Sequence, residues 1–305
     1  MNVLNLLFNF FVFPGFLFLA ILGMFLTFLD RKLSARIQWR MGPPWYQPYL
    51  DFVKLLSKEI IIPVNSSKIL FLFAPVLSFF SALISGTMIY YLLLYPEKSF
   101  VGDIIVILYF LTLVPVGFVL GASASRNPLS ACGAQREITL LISYEVPLLF
   151  ALLIPIIKAG DKIKIGEIIM AQNNFPFLYS LSGIISFITL LFVFQAKLGY
   201  IPFDIAEAEQ EIMGGIILEY SGAPLALFKL SKAMLLLSLP AFLISLLWPA
   251  KNIITFIVKF LIIFLLIVLI KNTNPRLRID QALRFFWFIL GPFSILGIIL
   301  TLSGL

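Results

Sequence analysis

Residues 253–270 read Ile253-Ile-Thr-Phe-Ile-Val-Lys259-Phe-Leu-Ile-Ile-Phe-Leu-Leu-Ile-Val-Leu-Ile270, with Lys259 the one charged side chain in the run. A helix needs about 20 predominantly apolar residues to cross the hydrocarbon core of a bilayer. Working outward from this run, eight such segments stand out: 5–29, 69–95, 102–121, 138–158, 177–197, 223–247, 252–271 and 284–303. Hydrophobic residues make up 61% of the 305-residue chain and charged residues 12%, and mean hydropathy is +1.06. A soluble domain carries about 25% charged residues. The runs are long and unbroken, whereas membrane barrels alternate polarity in short segments. The expected fold is an all-α integral membrane protein of about eight spans, in a single polytopic domain over residues 1–305. The first stretch is too long, and too directly followed by further spans, for a cleaved signal peptide.

The chemistry is bounded as tightly. Histidine is absent and Cys132 is the single cysteine. Haem, structural zinc and thiolate-held iron–sulfur clusters each need several such ligands. No metal site and no cofactor is therefore expected in this chain, and no complete active site; electrons would be handled by a partner. One cysteine excludes an internal disulfide, and Cys132 reads as a small packing residue. No internal repeat is visible, which disfavours transporters built from repeated halves.

Charge placement orients the chain. Loops after spans one, three, five and seven hold Arg31, Lys32, Arg36, Arg40, Lys54, Lys58, Lys68, Arg126, Arg136, Lys197, Lys271, Arg276, Arg278 and Arg284. The opposite loops hold Lys98, Lys158, Lys162, Lys164 and Lys251. Cytoplasmic loops are the ones enriched in Lys and Arg. A multi-pass protein of the cell membrane with both termini outside is expected, its charged chemistry gathered on the cytoplasmic face, where a partner would dock.

Three stretches carry that chemistry. The first runs Pro202-Phe203-Asp204-Ile-Ala-Glu207-Ala-Glu209-Gln210-Glu211, then Gly214-Gly215 and Glu219-Tyr220-Ser221-Gly222. A solvated acidic loop is the bland reading. Were the stretch helical, Asp204, Glu207 and Glu211 would share a face, and carboxylates crowded in a low dielectric tend to hold protons near neutrality. Such a cluster can pass protons or respond electrostatically to a nearby charge. The second is Ser143-Tyr144-Glu145-Val146-Pro147, an acid inside a span and so a functional-site candidate. Pro147 and Pro155 free backbone carbonyls in the same span. Lys229 and Lys232, entering span six, are candidate partners, with snorkelling to the surface as the alternative. The third is the first cytoplasmic loop: Asp30, Arg31, Lys32, Arg36, Arg40, then Gly42-Pro43-Pro44-Trp45-Tyr46-Gln47-Pro48, then Asp51, Lys54, Lys58 and Glu59. Residues 49–61 form an amphipathic segment with Leu50, Val53 and Leu56 toward one face. That pattern suits a helix on the headgroups and a docking platform equally.

These residues together resemble the membrane subunit that respiratory complex I (its H subunit, mitochondrial subunit 1) shares with energy-converting NiFe hydrogenases. The resemblance covers nearly the whole chain and is most specific from Pro202-Phe203-Asp204 to Glu219-Tyr220-Ser221-Gly222. It implies that Asp204, Glu207, Glu209, Glu211, Glu219 and Glu145 line a funnel between a redox chamber and the membrane ion pathway. Arg276, Arg278, Asp280, Gln281 and Arg284 match the family's basic motif before the last span, and Arg136 and Glu137 lie in Gly133-Ala134-Gln135-Arg136-Glu137, similar to the hydrogenase branch. Quinone-reducing members carry Glu-Arg-Lys where Asp30-Arg31-Lys32 stands, and a longer Gly-Pro-Asn loop; the compact Gly42–Pro48 form looks like the hydrogenase branch.

The resemblance implies iron–sulfur clusters, and in the hydrogenase branch a NiFe centre, in cytoplasmic partner subunits. It also implies antiporter-like neighbours in the bilayer and no nucleic-acid partner. The expected role is to anchor an electron-transfer arm and link its chemistry to H⁺ or Na⁺ movement. Alternatives are the quinone-site subunit of an NADH:quinone oxidoreductase, a subunit of a sulfane-sulfur-reducing complex and, in another class, a stand-alone secondary transporter. Against the last stands the gathering of charge at one face, away from midplane.

Overall fold

The computed structural model describes residues 3–173 and 175–304, and all regular structure among them is helical. In chain order the helices are α1 (Val3–Phe11), α2 (Phe16–Ile37), α3 (Gln47–Ser57), α4 (Lys68–Leu94), α5 (Asp103–Ala124), α6 (Pro128–Lys158) and α7 (Ile165–Ala171). They continue with α8 (Leu181–Lys197), α9 (Glu209–Ile212), α10 (Gly222–Leu247), α11 (Ile253–Thr273), α12 (Ile279–Arg284) and α13 (Gly291–Leu302). A π-helical segment, Phe285–Leu290, joins the last two.

Seven stretches among the described residues are long and apolar enough to cross a membrane: Leu7–Ile37, Lys68–Leu94, Asp103–Ala124, Pro128–Lys158, Gly222–Leu247, Ile253–Thr273 and Ile279–Leu302. The expected segment at 177–197 appears as α8, a 17-residue apolar helix. It starts late because Ser180 caps it: Ser180 Oγ accepts the Gly183 N–H at 3.1 Å, satisfying one of the orphan donors of a helix start. At about 1.5 Å per residue such a helix falls somewhat short of the hydrocarbon thickness. Pro75, Pro115, Pro147, Pro155 and Pro240 all sit inside long helices. A bilayer tolerates this where neighbouring groups satisfy the freed carbonyls. Ser186 Oγ, for instance, donates at 2.8 Å to the Ala151 carbonyl, which Pro155 leaves without its helical N–H.

The chain divides into two compact units. The first takes the described part of Met1–Thr87 with Leu108–Ile138 and Asp204–Ser238. Here α2 and α10 meet backbone to backbone: a Cβ on Gly23 would come within 2.6 Å of the Ala233 carbonyl oxygen. Stacked rings continue this core, Phe118 on Phe228 at 4.3 Å and Phe71 on Tyr220 at 4.1 Å.

The second unit takes Met88–Ile107, Thr139–Phe203 and Leu239–Leu305. The α13 helix packs along α8. The fully buried Asp103 carboxylate ties the start of α5 to that of α7, accepting N–H groups of Ile104 at 2.7 Å and Ile165 at 3.0 Å. Gln172 closes the neighbouring loop, donating to the Leu246 carbonyl at 3.0 Å and accepting from Phe177 N at 3.2 Å.

Candidate functional site

The acidic stretch is not a helix. Residues 204–208 are irregular, α9 covers four residues, and Met213 and Gly214 follow at φ 52° and 88°. Asp204, Glu207 and Glu211 therefore do not share a helical face, contrary to their spacing in sequence. Gly214-Gly215, both at positive φ, break the backbone direction before a helix can grow.

Within the first unit the segment gives each of three acids its own partner, where crowding was expected. Glu207 and Lys232 of α10 pair at 2.5 Å, both half-buried, and the ammonium also lies 5.4 Å from the centre of the Phe118 ring. Glu211 pairs with Arg136 of α6 at 2.5 Å, and the same guanidinium nitrogen donates to the Ile205 carbonyl at 3.3 Å. Asn127 Nδ2 donates to Glu219 while Asn127 Oδ1 caps α6 by accepting the Leu129 N–H at 2.9 Å. Asp204 is half-buried in the same segment, whereas Glu209 and Lys229 are exposed. Of the two candidate lysines in span six, the structure brings Lys232 to the acids. Arg136, expected among docking residues, pairs with the acidic segment, and Glu137 beside it is half-buried. Asn127 carries no charge to draw attention; its signal in sequence is the Asn127-Pro128 dipeptide at a helix start.

Residues 219–222 act as a joint. The Tyr220 hydroxyl donates to the Phe71 carbonyl at 3.0 Å, and burial pushes its pKa above the ordinary value. Ser221 Oγ accepts the Ile61 N–H at 3.0 Å and donates to the Glu59 carbonyl at 3.3 Å. Gly222, at φ 66°, lets the loop pass so close that a Cβ would meet the Lys58 and Glu59 carbonyl oxygens at 2.8 and 2.9 Å. This joint fixes the end of the first loop beside the acidic segment.

In the second unit Glu145 Oε2 lies 3.5 Å from Lys197 Nζ. The lysine side chain is 2% exposed and the glutamate 25%. Lys197 ends α8, and its nitrogen lies 5.0 Å from the centre of the buried Tyr144 ring. By sequence Lys197 groups with the loop cations; its burial against Glu145 is not visible in the pattern.

The residues expected to dock a partner are mostly surface groups. Arg31 and Asp51 pair at 3.1 Å, with Gln47 Nε2 donating to Asp51 at 2.9 Å. Arg36, Arg40, Lys54, Lys58, Glu59, Arg276, Arg278, Asp280 and Arg284 are exposed, and Lys32 is half-buried. Asp30 is only 4% exposed, with Ser34 Oγ at 3.5 Å. The α3 helix presents Leu50, Val53 and Leu56 outward, and its Tyr49 hydroxyl donates to the Ile21 carbonyl at 3.0 Å. Trp39 and Met41 stand almost fully exposed. Among the described residues no three His, Cys, Asp or Glu side chains gather as a metal would need.

Residues 10–302 match the family model described as NADH dehydrogenase. The chain belongs to this family. The H subunit of NADH-quinone oxidoreductase from Wolbachia pipientis is 34% identical, with 92% of this chain and 91% of that protein aligned. Its counterpart from Dehalococcoides mccartyi is 33% identical over 94% of this chain and 83% of the relative. Among solved structures, a chain of the membrane-bound sulfane sulfur reductase, an archaeal respiratory membrane complex, superposes with a TM-score of 0.83 at 26% identity. That match covers 93% of this chain and 96% of the other. This member of the NADH dehydrogenase family is a multi-pass membrane protein.

Proposed function

We propose that this chain is a membrane subunit of a respiratory redox complex, anchoring a cytoplasmic electron-transfer arm and coupling its chemistry to ion movement. The observation that carries the reading is the 204–219 segment. In a chain with 12% charged residues, it holds three carboxylates individually matched to Lys232, Arg136 and Asn127. A half-buried ion pair such as Glu207–Lys232 is sensitive to an added charge, because each partner's cost depends on the other being present. Reduction of a nearby centre in the arm shifts these pairs only if they interact differently with the two redox states. Asp204, Glu207, Glu209, Glu211, Glu219 and Glu145 are then the acids of the ion pathway. The exposed loop cations and aromatics receive the arm, with both termini outside the cell membrane.

The compact Gly42–Pro48 loop supports a hydrogenase-like arm, with iron–sulfur and NiFe-type subunits on the cytoplasmic side and antiporter-like subunits in the bilayer. A second reading, a quinone-site subunit, is favoured by the relatives that are H subunits of NADH-quinone oxidoreductases. Purifying the tagged chain from its native membrane separates the readings. Co-purifying subunits with iron–sulfur clusters and nickel support the first. Clusters without nickel, together with quinone reduction, support the second. A chain that purifies alone and moves ions without any redox partner overturns both.

A further inference from the structure

We propose that Lys197 is a built-in cation that competes with the transported ion for Glu145, a role that rests on the ion-pathway reading above. The nitrogen lies against two groups at once. One is the Glu145 carboxylate at 3.5 Å, longer than the roughly 2.7–2.9 Å of a tight charge-assisted bond. The other is the face of Tyr144, with the ring centre 5.0 Å away, inside the roughly 6 Å reach of a cation–π contact. Tyr144 is fully buried, with Phe286 of the π-helical segment edge-on at 6.2 Å, so the ring is a fixed platform. The end of α8 supplies a third favourable contribution, since a helix C-terminus attracts cations.

Exposure gives the arrangement its direction. Glu145 is 25% exposed and Lys197 2%: an incoming cation reaches the carboxylate, whereas the ammonium cannot leave for water. While no ion is present, Lys197 neutralises Glu145, as burial of either charge alone would demand. When H⁺ or Na⁺ arrives, Lys197 yields the carboxylate, keeps its own proton and rests on Tyr144. When the ion moves on, Lys197 returns and prevents its re-entry. A competitor of this kind weakens ion binding and speeds release.

The test uses the whole complex in proteoliposomes, with ion translocation titrated against Na⁺ at fixed pH and against pH at fixed Na⁺. In Lys197→Met the cation concentration giving half-maximal translocation is expected to fall on the order of tenfold or more, the scale of losing one adjacent opposite charge. The maximal rate should fall with it, because release slows. A lower rate with unchanged half-saturation would overturn the competitor role while leaving the pathway reading intact. If Glu145→Gln moves as many ions per electron as wild type, the pathway reading fails first. Should Lys197→Met fail to assemble, Glu145→Gln/Lys197→Met decides: recovery of assembly supports the charge pairing, and failure where Glu145→Gln alone assembles would show Lys197 to be a packing residue.

Discussion

Tyr220 shows how one side chain serves the joint beneath the acidic segment. Its ring stacks on Phe71 and meets Phe228 edge-on at 4.9 Å, and its hydroxyl reaches the Phe71 carbonyl. Burial raises its pKa from the ordinary 10.0. The proton is therefore held more tightly in the folded chain, and the stabilisation is complete below pH 10. It is lost as pH rises beyond that, where the unfolded phenol ionises and the folded one does not. Tyr220→Phe should cost about 1 kcal/mol near neutrality for the missing hydrogen bond and should flatten the fall in thermal stability above pH 10. Melting curves in detergent at pH 8 and pH 11 measure both; an unchanged alkaline fall contradicts the assignment. What sequence conveys at this scale are the charges themselves. What it does not convey are their partners. Lys197 and Lys232 look alike as lysines near span ends, and Asn127 as a turn residue. Only packing of distant helices determines which carboxylate each one meets.

At the scale of elements, hydrophobic runs are legible because lipid demands long apolar helices with every backbone group satisfied internally. The spans fall where the runs do, and the amphipathic pattern at 49–61 corresponds to α3 over Gln47–Ser57. The short acidic segment is not legible in the same way. Carboxylates at helical spacing suggest a helical face, but Gly214-Gly215 and the ties from Arg136 and Lys232 hold an irregular path. Likewise Ser180 delays α8 relative to the apolar run. The joint at residues 219–222 links this segment to the end of the first loop, so both elements present their exposed groups together. Arg40 and Lys54 are exposed, and their role follows from position rather than pairing. Reversing both charges (Arg40→Glu and Lys54→Glu) should weaken retention of the soluble arm at least several-fold at physiological salt, with the chain still inserted, since a docked charge reversed against its partner costs several kcal/mol. Co-purification of the arm's subunits checks this. Undiminished retention would leave the loop a lipid-surface helix.

For the whole molecule, docking of an arm requires the charged loops to face the cytoplasm, as the Lys and Arg bias predicts. In a Cys132→Ser background, Arg40→Cys and Glu209→Cys should be inert to a membrane-impermeant thiol reagent in intact cells and should react in inverted vesicles. Labelling from outside would invert the topology and remove the docking face. The coupling of electrons to ions is the central claim of the proposed function. It is tested most directly by the number of ions moved per electron transferred, in proteoliposomes containing the whole complex, for wild type and for Glu145→Gln, Glu207→Gln, Glu211→Gln and Glu219→Gln. Each variant keeps size and hydrogen-bonding capacity while removing the titratable charge. Coupling through these acids predicts that the soluble arm stays bound with reducible clusters while the ratio falls sharply in these variants; a ratio equal to wild type in all four would contradict it and leave the chain an anchor.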